Sequence, residues 1–157
     1  MEKLNKLNKR LIFLLTLFVL VILLLMLKQQ TVVQTDKYIT KACFKQQCFN
    51  VKVLDNDEER TKGLMYVNNL TENSGMLFIF PNEDEYSFWM KDTLIPLDIV
   101  WIDNDFKVVS IKENAIPCNE NPCEVYAPNS NAKYVLEINS ELVKKYGIKV
   151  GDKVEFE

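Results

Sequence analysis

The sequence predicts a mainly β protein: a compact antiparallel β-barrel or sandwich with two short helices, preceded by one N-terminal transmembrane helix. Three observations carry that expectation. Met76–Phe80, Phe88–Met90 and Leu94–Ile102 are short apolar runs rich in aromatic and branched side chains, and Pro81-Asn82-Glu83-Asp84 divides the first two. Such spacing suits buried strands rather than one helix. About seven strand-like segments follow one another without strand–helix–strand alternation, which favours antiparallel pairing. Leu11–Leu27 is apolar at every position except Thr16.

That N-terminal run would span about 26 Å as a helix, just enough to cross a bilayer with Lys9, Arg10 and Lys28 reaching toward the headgroups. A cleaved signal peptide fits less well, because the run is long and KQQTVVQTD after it has no small-x-small cleavage pattern. A buried core helix fits worse, for want of a polar face. Lys3, Lys6, Lys9 and Arg10 precede the run and only Lys28 directly follows it, so the N-terminus is expected in the cytoplasm and the rest outside. The expected organisation is a cytoplasmic segment 1–10, an anchor 11–27, a polar stalk 28–40 and an extracytoplasmic domain 41–157. About 117 residues suffice for one hydrophobic core.

Residues 28–157 carry fifteen basic and twenty-one acidic groups, net −6. Nucleic acid is therefore not an expected partner. The membrane, through residues 11–27, is one expected partner, and a small neutral or cationic ligand, a glycan or a surface protein is the other.

Cys43, Cys48, Cys118 and Cys123 form two pairs of equal spacing in the outer part of the chain. Outside the cytoplasm an even count points to disulfides, and local pairing is preferred because each pair brackets a turn-like tetrapeptide. A four-cysteine metal site has only the count in its favour. No metal or cofactor is expected.

Around the central runs, Phe49–Leu54 reads as a strand. Asp55-Asn56-Asp57 offers an N-cap to a short helix through Lys62, ended by Gly63. Lys107–Lys112 and Ala132–Ile138 read as strands, the second placing Lys133, Val135 or Glu137 at alternate positions. Ser140 is positioned to cap a helix closed by Gly147, and a Gly151-Asp152 turn leads into a last strand, Lys153–Phe156.

The chain has no histidine. Ser-His-Asp and Cys-His catalysis and imidazole metal sites are thereby removed, and bridged cysteines leave no thiol nucleophile. No catalytic residue is assigned. Asp98 lies inside LIPLDIVWI, where a carboxylate needs a partner. Arg60, the one arginine beyond the apolar run, is expected to provide it as a structural ion pair. Trp89, Lys91, Asp92, Thr93 and Trp101 are candidate ligand-binding residues, since aromatic side chains beside a few polar groups make small-ligand pockets. The plainer reading of the tryptophans is core packing.

RTKGLM (Arg60–Met65), GMLFIF (Gly75–Phe80), FWMKDTLIPLDIVWID (Phe88–Asp103), IPC with a second cysteine and Tyr126 after it, YVLEIN (Tyr134–Asn139) and GIKVGDKV (Gly147–Val154) together resemble the bacterial and archaeal family known as domain of unknown function 192. The resemblance covers about residues 49–156. It implies a compact β fold, often exported or anchored, with no established activity and no catalytic assignment to carry over. Where that family usually has Lys-Asn-Thr this chain has Lys91-Asp92-Thr93. Where its Leu-Glu-x-Asn usually precedes a glycine-bearing turn, Asn139 here leads to Ser140-Glu141.

The functional expectation is a membrane-anchored extracytoplasmic binding or accessory module. One rival is an enzyme acting on a surface glycan with Asp92 and Asp98 as acid and base, and a second is a structural protein-interaction module. Carboxyls about 5–10 Å apart in an open cleft would favour the enzyme.

Overall fold

A computed structural model of the chain describes residues 13–24, 39–45 and 47–157. The expected cytoplasmic segment 1–10, both ends of the 11–27 run and the stalk up to residue 38 lie outside the described residues. The chain divides into two units, Met1–Tyr38 and Ile39–Glu157. In the first, residues 13–24 form a helix, α1, whose apolar side chains are exposed. Among the described residues no helix is long and apolar enough to cross a membrane.

The second unit is mainly β, as expected. Its strands are β1 (Lys41–Phe44), β2 (Gln47–Leu54), β3 (Ser74–Asp84), β4 (Phe88–Trp89), β5 (Leu97–Ile102), β6 (Val108–Ala115), β7 (Val125–Tyr126), β8 (Ala132–Asn139) and β9 (Glu155–Phe156). Two short helices are interspersed, α2 (Asp57–Lys62) and α3 (Leu142–Tyr146). Seven strands form one sheet in the order β6-β5-β8-β3-β2-β1-β9, and β4 pairs with β7 separately.

The sheet is mixed rather than purely antiparallel: β2 and β3 run parallel, Asn50 facing Ser74 and Leu54 facing Phe78. The absence of a strand–helix–strand unit expected from the sequence is thus corrected. The connection through α2 and the loop after it is long enough for the crossover that parallel neighbours require. α2 itself begins as the sequence indicates. Asn56 caps it by accepting from the Glu59 N–H, Asp57, Glu58 and Glu59 sit in the first turn, and Gly63 ends it at φ 44°.

The sheet curls into a half-barrel. Its concave side gathers Phe44, Phe49, Leu77, Ile79, Val100, Ile102, Tyr134, Leu136 and Ile138 with Leu142 and Val143 of α3. Beyond the edge strands the curl is drawn together by backbone bonds: the Val154 N–H donates to Phe106 O at 2.8 Å and the Val108 N–H to Asp152 O at 2.9 Å. The convex side carries a second core, with Leu54, Met76, Phe78, Ile99, Trp101 and Val135 covered by Leu64, Met90 and Tyr126. Because both faces of β3, β5 and β8 are covered over most of their length, these strands read as mainly apolar runs without clear alternation.

Gly75 is where β3 passes closest to β8. A Cβ added there would meet Glu137 O at 2.9 Å, Ile138 Cγ2 at 3.0 Å and Leu136 Cδ1 at 3.1 Å. The nearest obstacle is backbone, so Gly75→Ala is expected to destabilise the domain by about 1–3 kcal/mol, read as a lowered urea midpoint at unchanged slope. A midpoint equal to that of the wild type would mean that β8 yields freely.

Candidate functional site

Two carboxyl side chains are buried in neighbouring strands, on opposite faces of the sheet. In register, Asp98 of β5 faces Ile138 of β8, and Ile99 faces Glu137. Asp98 is fully buried. Its Oδ1 accepts the Asn114 N–H at 2.8 Å and its Oδ2 accepts the Val143 N–H at 2.9 Å. The first bond fastens a bulge where β6 places extra residues against β5, with Asn114 at φ 50°. The second supplies a first-turn acceptor for α3, whose N-cap residue Glu141 makes no side-chain cap bond of its own. Asp98 is thus a structural fastener, and Ser140 is not the cap expected from the sequence.

The Arg60–Asp98 ion pair is not formed. Arg60 instead bonds Asp57 Oδ1 at 2.6 Å and Ile79 O at 2.7 Å, and its guanidinium lies 5.2 Å from the centre of the Phe80 ring. The arginine sits over the convex side, whereas Val143, the partner of Asp98, belongs to the concave core. Backbone N–H groups do for Asp98 what the arginine was expected to do.

Glu137 is different. It is 4 % exposed, and neither of its oxygens receives a hydrogen bond among the described residues, Oε2 being wholly buried. Burial pushes its carboxyl up from the usual range to about 8. The loss of water around the charged form is the sole cause. It lines a recess of about 40 Å³ together with Arg60, Lys62, Gly63, Leu64, Met65, Phe78, Phe88, Trp89, Lys91 and Thr93.

The rim is built by the segment from β4 to β5. Trp89 faces Val125 across the β4–β7 pair and is half exposed. Lys91 bridges to Cys118 and Thr93 to Met65. The Asp92 N–H donates to Cys118 O and the Cys118 N–H to Met90 O, both at 3.1 Å, so the Cys118–Cys123 disulfide anchors the support of the rim. Asp92 and Tyr66 both have left-handed backbones, φ 54° and 64°, and are tied together. The Tyr66 N–H donates to Asp92 O at 2.8 Å, and its hydroxyl to Oδ2 at 3.1 Å. That hydroxyl bond, with the nearby negative charge, holds the phenol above its ordinary pKa. Strained non-glycine residues cluster more often at sites than elsewhere.

Of the residues singled out from the sequence, Trp89, Lys91 and Thr93 meet in this recess. Asp92 stands beside it, 3.7 Å from the Lys91 ammonium. Trp101 does not join them: it is a core residue whose indole N–H donates to Tyr86 O at 2.7 Å. Sequence reasoning overlooked Glu137, although an acid inside YVLEIN carries the same signal as Asp98 inside LIPLDIVWI. Cys43 and Cys48 form the second disulfide, across the β1–β2 turn. Among the described residues no group of three or more Cys, Asp and Glu side chains could hold a metal ion.

A wider hollow of about 770 Å³ lies between the 70–72 segment and α3. Several of its polar groups are already partnered: Lys145 pairs with Glu72, the Tyr146 hydroxyl donates to Glu72, and Asn139 donates to Leu70 O. The small recess is the stronger site because its floor is a carboxyl without a partner, and such groups are rare in folded proteins.

Fold and recess define a class: a small half-barrel domain of mixed sheet, with a polar-floored recess on its convex face. The chain belongs to the DUF192 family, described as an uncharacterised family, whose model matches residues 39–156. It is 28 % identical over 109 residues to a UPF0127 protein of Thermococcus sibiricus, covering 68 % of this chain and 66 % of that one. It is 31 % identical over 111 residues to a UPF0127 protein of Pyrococcus abyssi, covering 68 % and 85 %. A crystal structure of a protein of unknown function from Novosphingobium aromaticivorans superposes with a TM-score of 0.69 at 35 % identity, covering 74 % of this chain and 84 % of that one.

Proposed function

We propose that the protein is a membrane-tethered, extracytoplasmic binding module whose site is the recess floored by Glu137. The observation that carries this reading is the buried carboxyl without a partner beneath a half-exposed tryptophan. An unsatisfied buried polar group costs about 1–3 kcal/mol, a cost that a ligand meeting it would offset. The tether is supported by the apolar run Leu11–Leu27 with its basic N-terminal flank. Placement outside the cytoplasm is supported by two disulfides among four cysteines.

The glycan-hydrolase reading is disfavoured by Asp98, which is fully buried with both oxygens occupied by backbone N–H groups. A ligand screen on the full-length protein in a non-ionic detergent, followed by titration calorimetry, tests the binding reading. A hit is expected to weaken at least tenfold in Trp89→Ala, whose fold should persist because that side chain is half exposed. Hits that bind the variant as well as the wild type would place the site elsewhere.

A further inference from the structure

We infer that the recess receives a carboxylate, with the acid form of Glu137 donating to it from the floor and Lys91 meeting its charge at the rim. The inference rests on the reading of the recess as a binding site and adds the chemistry of what enters.

Size comes first. The recess holds about 40 Å³, and since a water needs about 10–15 Å³ of such space it takes a small polar group of a few atoms rather than a sugar ring. The remainder of such a ligand would lie outside, against the exposed face of Trp89.

Charge comes second. The charged groups that line the recess with Glu137 are Arg60 and Lys62 from α2 and Lys91 from the segment after β4, with Asp92 beside Lys91. The neighbouring residues in register, Met76 on β3 and Ile99 on β5, carry no charge. Asp57 engages Arg60, but Lys62 makes no ion pair among the described residues, and Lys91 has only the 3.7 Å approach to Asp92. With Arg60 taken up by Asp57, Lys62 and Lys91 are the cations left in the lining, and they favour an anion over an ammonium group at the mouth of the recess.

Protonation comes third. Burial favours the neutral carboxyl, so at neutral pH the floor presents an O–H donor. An O–H donated to a carboxylate is among the stronger hydrogen bonds, and the Thr93 hydroxyl, with no hydrogen bond of its own among the described residues, stands in the same lining. Binding shares the existing proton and breaks no covalent bond.

The test uses the full-length protein in a non-ionic detergent and three probes: N-acetylglycine, its uncharged amide, and methylammonium. Binding is followed by the chemical shift of the Trp89 indole N–H. N-acetylglycine is expected to bind at least tenfold more tightly than its amide, and its affinity to fall about tenfold per pH unit above pH 8. Lys91→Gln should weaken it at least fivefold. Glu137→Gln should weaken it a few-fold and flatten its pH profile across that range. If methylammonium binds instead, with affinity rising with pH, the carboxylate assignment is overturned while the recess stands as a site. Should no probe move the Trp89 signal at 20-fold the concentration of a weak millimolar site, both readings are overturned.

Discussion

Asp98→Ala is expected to cost the domain about 3–5 kcal/mol, a large share of the 5–15 kcal/mol that holds a typical domain folded. The alanine would leave the Asn114 and Val143 N–H groups without an acceptor inside the protein, each at about 1–3 kcal/mol. The damage should fall in two places that this side chain ties to β5. The bulge in β6 would lose its clamp and α3 its first-turn acceptor, so the Val143 amide should exchange with solvent much faster than those of β8. Asp98→Asn keeps one accepting oxygen and should cost roughly half as much. A loss below about 1 kcal/mol in urea unfolding would show that the backbone groups find other partners, and the fastening role would then be abandoned.

Glu137→Gln should act in the opposite direction, with an effect that depends on pH. The folded carboxyl titrates near 8, against about 4.5 for an exposed glutamate. Below 4.5 folded and unfolded chains both hold the proton, and burial costs nothing electrostatically. Between 4.5 and 8 the unfolded chain releases the proton while the folded one keeps it, so stability falls as pH rises. Above 8 both are ionised and the cost levels off, at a few kcal/mol. The glutamine variant lacks this dependence. It should match wild type near pH 4 and exceed it by about 2–4 kcal/mol at pH 8, in unfolding curves measured on the same preparations. Equal stabilities at both pH values would mean that water or a protein group reaches the carboxyl.

Much of the fold can be read in the residues. The capping geometry at Asn56 and Gly63, the turn at Gly151-Asp152 and strands at Met76–Phe80 and within Leu94–Ile102 are local matters of propensity and pattern and stand as the sequence indicates. The turn expected at Pro81-Asn82-Glu83-Asp84 is instead the end of β3, which pairing with β8 extends to Asp84. The parallel pairing of β2 with β3 is not local. Nothing in Phe49–Leu54 says which way its neighbour runs, because strands covered on both sides lose the alternation that would report a face. The same loss hid the site. Leu-Asp-Ile at 97–99 and Leu-Glu-Ile at 136–138 look alike on paper, yet they end on opposite faces of the sheet. One acid meets two backbone donors and the other meets none. Arg60 was matched with the wrong acid for that reason: sequence can count charges but cannot say which face of a sheet each one points from.

The opposed placement of the two acids bears on how faithfully the strands align while the chain folds. A slip of β8 by one residue past β5 and β3 would turn Glu137 into the concave core and swap the apolar sets on either side. Slipping β5 instead would carry Asp98 away from Asn114 and Val143 into a wall with no donor waiting. The β5 slip strips an acid of donors it holds in the native pairing, whereas Glu137 has none to lose, so Asp98 works as a pin that admits one alignment, a safeguard that a leucine there would not provide.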